Sequence, residues 1–520
     1  MKKYLYGASV QGIQGFIFET NKLKEIGGAS ELVEQICTQE FKEHLKEKKQ
    51  TFKINNSLIM AAGNIKYQFD SYDDCQSVVD DFAKRVMEKA PGVSISQAIV
   101  SFDSEEPSSD DINLLEEKLK IQRNRTFRQH GLGWMISERS RNTGSPGIDW
   151  DSSKYSSDKV VIDEAQQLKR KANNPATSNL MDKILYGYHP NNRIAKFEKA
   201  LYPYDIDDIV NKQQNQWIAV VHADGNSLGM LIQQMAKSLK DSGESVKEGF
   251  SKFSKQLDAA TTQAANDAFN KIVKKQYEKE VLESKNNKLR LPIRPVVIGG
   301  DDLTIIIRGD LAIDFTNEFL NQFIARTAEY LNSLVSDYNL NEFKNGLSAC
   351  AGIAYVKPSY PLHYAIELAE ELCSYSKTKA KLIDDKNVPS CLTFHKVQSS
   401  FVNNYENSIV ERELKAGDIY MNFGPYATDK NYEKLPTVYK LKEQVKEVKR
   451  TDSPKSNLRN WLSELSVSTE RAEQLLNRIK TITRMHFLKV LKLENAIVER
   501  DNKKYTHIHD ILSLASIEKN

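Results

Sequence analysis

Short runs of apolar and β-branched residues alternate with helical patterns along the N-terminal hundred residues. Tyr4 to Val10, Ser57 to Ala62, Ile65 to Phe69 and Val93 to Phe102 read as strands, the middle two joined around Gly63-Asn64. Leu32, Val33, Ile36 and Phe41 mark one helix, and Ser30, following Gly27-Gly28-Ala29, is its expected N-cap. Val78, Val79, Phe82 and Val86 mark a second helix, which Pro91-Gly92 ends. The order is β-α-β-β-α-β, a ferredoxin-like arrangement. It returns from Trp217, where a strand runs to His222. Two helices follow, one with Leu231, Ile232 and Met235, the other with Phe250, Phe253, Leu257, Ala260 and Ala264 at spacings of three and four. Strands flank Gly299-Gly300-Asp301-Asp302, and Asp310 is the expected cap of a helix bearing Phe315, Phe319 and Phe323. A small-residue strand (Leu347 to Tyr355), a helix (Pro361 to Leu382) and a last short strand (Cys391 to His395) complete the unit.

The predicted fold is therefore α+β, with two ferredoxin-like domains at 1–103 and 217–400. Residues 104–216 read as a partly helical insertion or linker. It holds a charged helix (Leu114 to Arg128), then Gly131-Leu132-Gly133-Trp134, then a polar loop from Ser137 to Asp158. Residues 401–520 read as a helical domain with a solvated, charged face that serves packing or docking.

Composition narrows the picture. At 520 residues the chain has room for three or four domains, at about 100–200 residues each. The 73 basic and 70 acidic residues nearly cancel, so nucleic-acid contact has to come from local patches. Cys37, Cys75, Cys350, Cys373 and Cys391 lie far apart, as reduced, buried thiols do. With no apolar run long enough to span a bilayer, a cytoplasmic location is expected.

Candidate chemistry sits at the second hairpin. Its glycines permit φ > 0 and close approach of phosphates, and its aspartates offer oxygen ligands to a divalent ion. An ordinary surface turn has the same composition. What weighs against the plain turn is Asp224, at the end of a strand that a ferredoxin-like sheet places beside the hairpin. Convergent carboxylates suit a metal-assisted phosphoryl transfer. Gly225 would leave room for phosphates beside Asp224, and Lys377 would neutralise their charge, unless it is simply solvated like Lys379 and Lys381. The first copy has Ala61-Ala62-Gly63-Asn64 where the second has its carboxylates.

Ala223-Asp224-Gly225-Asn226-Ser227-Leu228-Gly229 followed by Gly299-Gly300-Asp301-Asp302 resembles the Palm domains of the large polymerase-cyclase subunit of type III CRISPR effector complexes, relatives of the GGDEF cyclases. Gln14-Gly15-Phe16-Ile17-Phe18 with Gly28-Ala29-Ser30-Glu31-Leu32 resembles that family's degenerate first Palm. Tyr375-Ser376-Lys377 and Asn422-Phe423-Gly424-Pro425-Tyr426 resemble later segments. The resemblance implies a nucleotidyltransferase that makes a cyclic oligoadenylate messenger from ATP with Mg2+ or Mn2+. Asp224, Asp301 and Asp302 would serve metal binding and catalysis, Gly225, Gly299, Gly300 and Lys377 the nucleotide, and Ser30 the first-Palm nucleotide. It also implies CRISPR RNA-guided subunits and target RNA as partners. The alternatives are a mainly structural subunit of such a ribonucleoprotein, a cyclase-like enzyme that conjugates AMP to another acceptor, or a homo-oligomer acting alone.

Three departures shape these expectations. Many relatives begin with an HD nuclease domain, and this chain opens on the Palm, so an HD-less form is expected. His509-Asp510, in the last helix, reads as an ordinary surface pair. The region around Glu138 to Pro146 has no cysteine, so no zinc is expected. The family's frequent Asp-Gly-Asp is Asp224-Gly225-Asn226 here, which removes one carboxylate.

Overall fold

A computed structural model describes residues 2–61, 63–125, 136–152, 159–174, 179–187, 201–210, 217–284, 289–398 and 404–518. Gly131-Leu132-Gly133-Trp134, Ala62 and part of the polar loop lie outside these residues.

The first unit runs β1 (Lys3–Gln11), α1 (Leu23–Gln35), β2 (Ser57–Ala61), β3 (Asn64–Phe69), α2 (Tyr72–Lys89) and β4 (Ser94–Phe102). Its antiparallel sheet has the order β2-β3-β1-β4, as a ferredoxin-like fold requires. Tyr6, Phe41, Phe69 and Phe82 stack in the core between sheet and helices. One expectation fails here. Gly27-Gly28-Ala29-Ser30 is not the turn before a helix but the middle of α1, and Ser30 is no N-cap, its hydroxyl donating to the Ile26 carbonyl at 3.1 Å. The glycines serve packing instead. A Cβ on Gly28 would stand 1.6 Å from the Lys169 carbonyl oxygen of a crossing helix.

The insertion continues with α3 (Ser109–Arg123), a two-stranded ribbon of β5 (Asp149–Ser152) and β6 (Lys159–Ile162), α4 (Glu164–Ala172) and α5 (Asn179–Tyr186). Asp163 caps α4, accepting from the Gln166 amide at 2.8 Å. Lys169, 1% exposed, reaches back to the Phe16 carbonyl and the Glu19 carboxylate, so α4 is tied to the first unit.

The second unit runs β7 (Ile218–Gly225), α6 (Leu228–Ser242), α7 (Val246–Ala268), β8 (Ile293–Gly299), β9 (Asp302–Arg308), α8 (Gly309–Tyr330), β10 (Ala349–Val356), α9 (Leu362–Ile383) and β11 (Cys391–Lys396). The order β10-β7-β9-β8 repeats the first sheet. β11 adds in parallel to β10 and a short strand, Tyr426–Ala427, adds to β11. The small residues of β10 matter because α9 lies directly upon it. At Gly352 a Cβ would meet the Ala369 carbonyl at 2.0 Å. Asp310 does not cap α8. It lies inside the first turn, where the Arg308 guanidinium donates to it at 2.6 Å while also forking onto Glu280.

The C-terminal part is not purely helical. Five helices between Val438 and Ala515 accompany a small four-stranded sheet formed by Lys415–Ala416, Ile419–Tyr420, Lys503–Tyr505 and Val498–Arg500. His509-Asp510 is not a surface pair. Asp510 is 7% exposed and accepts from the Tyr426 hydroxyl at 2.7 Å and the Phe423 amide at 3.1 Å, fixing the Asn422 to Tyr426 segment. All five cysteines are free and buried. No helix among the described residues is long and apolar enough to cross a membrane.

Candidate active site

The hairpin between β8 and β9 turns on two residues. Gly299 pairs with Asp302, leaving Gly300 and Asp301 at the tip, and Gly300 has φ +61°. Glycine first, with positive φ, is what a tight turn matching the sheet's twist needs. Thr261, buried in α7, donates its hydroxyl to the Gly300 carbonyl, and Lys183 of α5 donates to the Ile298 carbonyl at 3.0 Å. The tip is thus held from two sides.

β7 lies between β9 and β10, so its end brings Asp224 to the same edge as the tip. Ligand oxygens of Asp224, Asp301 and Asp302 all lie within 4.8 Å of one another, the one such group of three His, Cys, Asp or Glu among the described residues. Gly225 does leave room, but for a carboxylate: a Cβ there would stand 2.9 Å from Asp301 Oδ2. Lys377 is not solvated like its neighbours. Its ammonium donates to the Gly225 carbonyl at 2.8 Å and pairs with the Asp224 carboxylate. Asn226 stands outside the cluster. Its backbone amide and its side-chain amide donate to the Ser348 carbonyl and hydroxyl at 2.9 and 3.0 Å, so the three carboxylates gather without an acid at position 226.

The electrostatics are those of a cation site. Burial, then the neighbouring Asp224 charge, pushes Asp301 up to about 6, while burial and the charges of Asp301 and Asp224 push Asp302 up to about 8. Asp224 moves the other way: burial alone would raise it, and the Lys377 ammonium overrides that. Oxygen-only donors in a mutually repelling cluster fit magnesium or manganese.

Two cavities flank the tip. One, about 760 Å3, lies between α6, α7 and the edge of the first sheet, reaching Gly300 and Asp301. The other, about 420 Å3, lies between the two ferredoxin-like units, reaching Gly299 and Asp302. Ser30, Gln14 and Glu34 of the first unit line it beside His222, Thr304 and Glu370 of the second. His222 Nδ1 and Thr304 Oγ1 are 3.0 Å apart, and burial pushes the imidazole down to about 4, so it is neutral. Gln14 donates its amide to Glu370 across the junction.

The residues predicted from sequence thus fall into two groups. Asp224, Gly225, Gly299, Gly300, Asp301, Asp302 and Lys377 come together, and Ser30 lies apart, on the wall of the smaller cavity with its hydroxyl bonded within α1. Sequence reasoning missed Glu370, Glu34, Thr261 and Lys183. Glu370 had a signal: it precedes Lys377 by seven residues and so shares its helix face.

Residues 217–388 match the family of the Cas10/Cmr2 second palm domain. No curated protein matches the chain by sequence. Among solved structures, it is similar to a chain of the Csm1-Csm4 cassette in complex with pppApApA, at 13% identity and TM-score 0.55, covering 99% of this chain and 69% of that one. It is also similar to the cassette in complex with cA3, at 12% identity and TM-score 0.52, covering 100% and 70%. The cassette with cA4 gives 14% identity and TM-score 0.51, covering 99% and 69%. At these identities the likeness is one of fold, and it extends beyond 217–388 to nearly the whole chain. The match at 217–388 is thus to the Cas10/Cmr2 second palm domain, and the fold around it is similar to that of chains of the Csm1-Csm4 cassette.

Proposed function

We propose that the chain transfers an adenylyl group from ATP to a hydroxyl of an acceptor, making a nucleotide messenger of the cyclic oligoadenylate type in CRISPR-based defence. The observation that carries this reading is the meeting of Asp224, Asp301 and Asp302 at a hairpin tip between two nucleotide-sized cavities. The solved structures of similar fold hold cA3, cA4 and pppApApA, which supports the product class.

Asp224, Asp301 and Asp302 would hold magnesium or manganese, which when bound activates the attacking hydroxyl and offsets the charge of the triphosphate and departing pyrophosphate. The loop Gly225-Asn226-Ser227 delivers the phosphates to the first turn of α6, whose free amides favour anions. Lys377 exchanges its Asp224 partner for a phosphate oxygen, and the tip anchors on Thr261 and Lys183 keep the carboxylates in place. The larger cavity, with Lys66, Lys237 and Lys240 on its wall, receives the donor ATP. The smaller receives the acceptor, its hydroxyl facing Asp302. In this reading the domain divisions at 103, 216 and 400 separate a non-catalytic Palm, an insertion, the catalytic Palm and a C-terminal domain. A guide-RNA-bound assembly with target RNA is the proposed setting, in the cytoplasm.

A second reading, AMP conjugated to an acceptor other than ATP, is favoured by the acidity of the smaller cavity. The test is mass spectrometry of products from Mg2+ or Mn2+ and mixed nucleoside triphosphates, with the full chain alone and assembled with guide RNA and partner subunits. Adenylylated products from wild type but not from Asp301→Ala/Asp302→Ala support the reading. Products that persist in the double variant refute it.

A further inference from the structure

We infer that the C-terminal domain carries a ligand site of its own, in the cavity between Phe423, the start of helix Val438–Val448 and the strand Val498–Arg500. Its ligand is a phosphate ester that also bears a hydroxyl or amino donor, as a nucleotide does. The cavity shares no lining residue with the two beside the Gly300-Asp301 tip, and the site does not depend on the adenylyl-transfer reading.

The charge on this wall is one-sided. Lys434, Lys440, Lys492 and Arg500 line the cavity, and Glu433 is the one acid among its described lining residues. Nearby, Lys442, Arg450 and Lys504 each have a carboxylate partner, in Asp314, Asp452 and Asp418. None of the four cations on the wall forms an ion pair among the described residues. Three exposed lysines by themselves are an ordinary solvated face. Arg500 differs. Its guanidinium lies 3.8 Å from the centre of the Phe423 ring and donates to the Phe423 carbonyl at 3.3 Å, so its position is fixed. It is partly buried, and burial pushes it below its ordinary value, a cost that a bound anion would offset. Guanidinium and ammonium groups are the usual donors to phosphate oxygens. The first turn of helix Val438–Val448 adds the positive end of its dipole. Thr437 caps that turn, accepting from the Lys440 amide at 3.3 Å, and Thr437, Lys440 and Leu441 all line the cavity.

His507 supplies an independent sign of a ligand. It lines the same cavity and is 4% exposed. Its Nε2 donates to the Leu491 carbonyl at 2.6 Å, and its Nδ1 has no hydrogen-bond partner. Burial pushes the imidazole down, so it is neutral and Nδ1 offers a lone pair to an O–H or N–H. A buried acceptor left without a donor is costly. The cationic wall thus takes the phosphate, and His507 takes a hydroxyl or amino hydrogen of the same molecule. At about 330 Å3 the cavity has room for one nucleotide unit.

The probe is 8-azidoadenosine 5′-monophosphate, irradiated with the full chain in EDTA, which keeps divalent metal from the Asp224 cluster. Labelled peptides are identified by mass spectrometry. Saturable label is expected in peptides from 423–441 or 492–507. AMP should compete for it at least tenfold better than adenosine, which lacks the phosphate, or inorganic phosphate, which lacks the nucleoside. Lys434→Gln/Lys440→Gln/Lys492→Gln, at three exposed positions, should cut this label at least tenfold, while any label in Palm peptides stays within twofold. Arg500→Gln should act in the same direction. A six-nucleotide RNA as competitor separates two sources of the same chemistry. Tenfold better competition than AMP assigns the phosphate to an RNA strand, equal or weaker competition to a free nucleotide, and both support the site. It is overturned by the lack of saturable label in those peptides, by adenosine or inorganic phosphate competing as well as AMP, or by label unchanged in the triple variant.

Discussion

Adding one methyl group at Gly225 should disarm the site while leaving the fold intact. The Cβ of Gly225→Ala would lie 2.9 Å from Asp301 Oδ2 and 3.0 Å from Asp301 Cβ. Ordinary contact between such atoms begins near 3.4 Å, so the Asp301 side chain must move by about 0.5–1 Å or change rotamer, at a strain of about 1–3 kcal/mol. Gly225 is at the end of β7 and pairs only with Ala349, so the sheet behind it can persist. A displacement of about 1 Å in a group that positions reacting atoms costs about 100-fold in rate. The assay is pyrophosphate release from ATP with Mn2+, together with the thermal midpoint of the metal-free protein. A loss of about 100-fold in kcat/KM with a midpoint lowered by only a few degrees is expected. Unchanged turnover in Gly225→Ala would refute the claim that Asp301 must occupy the space the glycine leaves.

Three further outcomes follow from the same geometry. Because the folded state holds Asp301 and Asp302 protons that the unfolded chain releases at about pH 4, metal-free stability should fall as pH rises through about 6 and on to about 8. The stabilisation on adding Mn2+, read from the rise in thermal midpoint, should therefore be larger at pH 8 than at pH 6, by up to about 1.4 kcal/mol per pH unit for each proton displaced; a shift independent of pH would count against the cluster. Lys377→Met should lower kcat/KM by about 100-fold by removing the ammonium that, in the proposed function, turns from Asp224 to a phosphate, whereas a solvated lysine would cost nothing measurable. Arg308→Met leaves buried Glu280 and Asp310 without their shared cation and should cost about 3–5 kcal/mol in denaturant unfolding. Because Arg308 stands at the end of β9 away from Asp302, the activity of the remaining folded protein should stay near wild type.

Both sheets were legible because their strands are short, β-branched and punctuated by glycine or proline, and because one order occurs twice. The convergence of Asp224 with the hairpin followed from that order alone. Where reading failed, a tertiary contact had overruled a local signal. Gly27-Gly28 looks like a turn, yet α1 continues through it because the Lys169 carbonyl and the Arg294 guanidinium occupy the space that side chains would need. His509-Asp510 looks solvated, yet Asp510 is buried to hold Tyr426 and the Phe423 amide. The small C-terminal sheet was missed because its strands are two or three residues long, too short for any period to register. Glu370 was missed because a lone glutamate on a helix gains meaning only when Gln14 and the opposite Palm close over it.

The central claim is that Asp224, Asp301 and Asp302 hold the metal on which nucleotidyl transfer depends. It is tested most directly by Mn2+ binding followed by electron paramagnetic resonance in the presence of ATP. This measurement needs no turnover. At least one tight Mn2+ site per chain is expected in the wild type, lost in Asp301→Asn/Asp302→Asn, with the circular dichroism spectrum unchanged. Equal stoichiometry and affinity in the two proteins would contradict it.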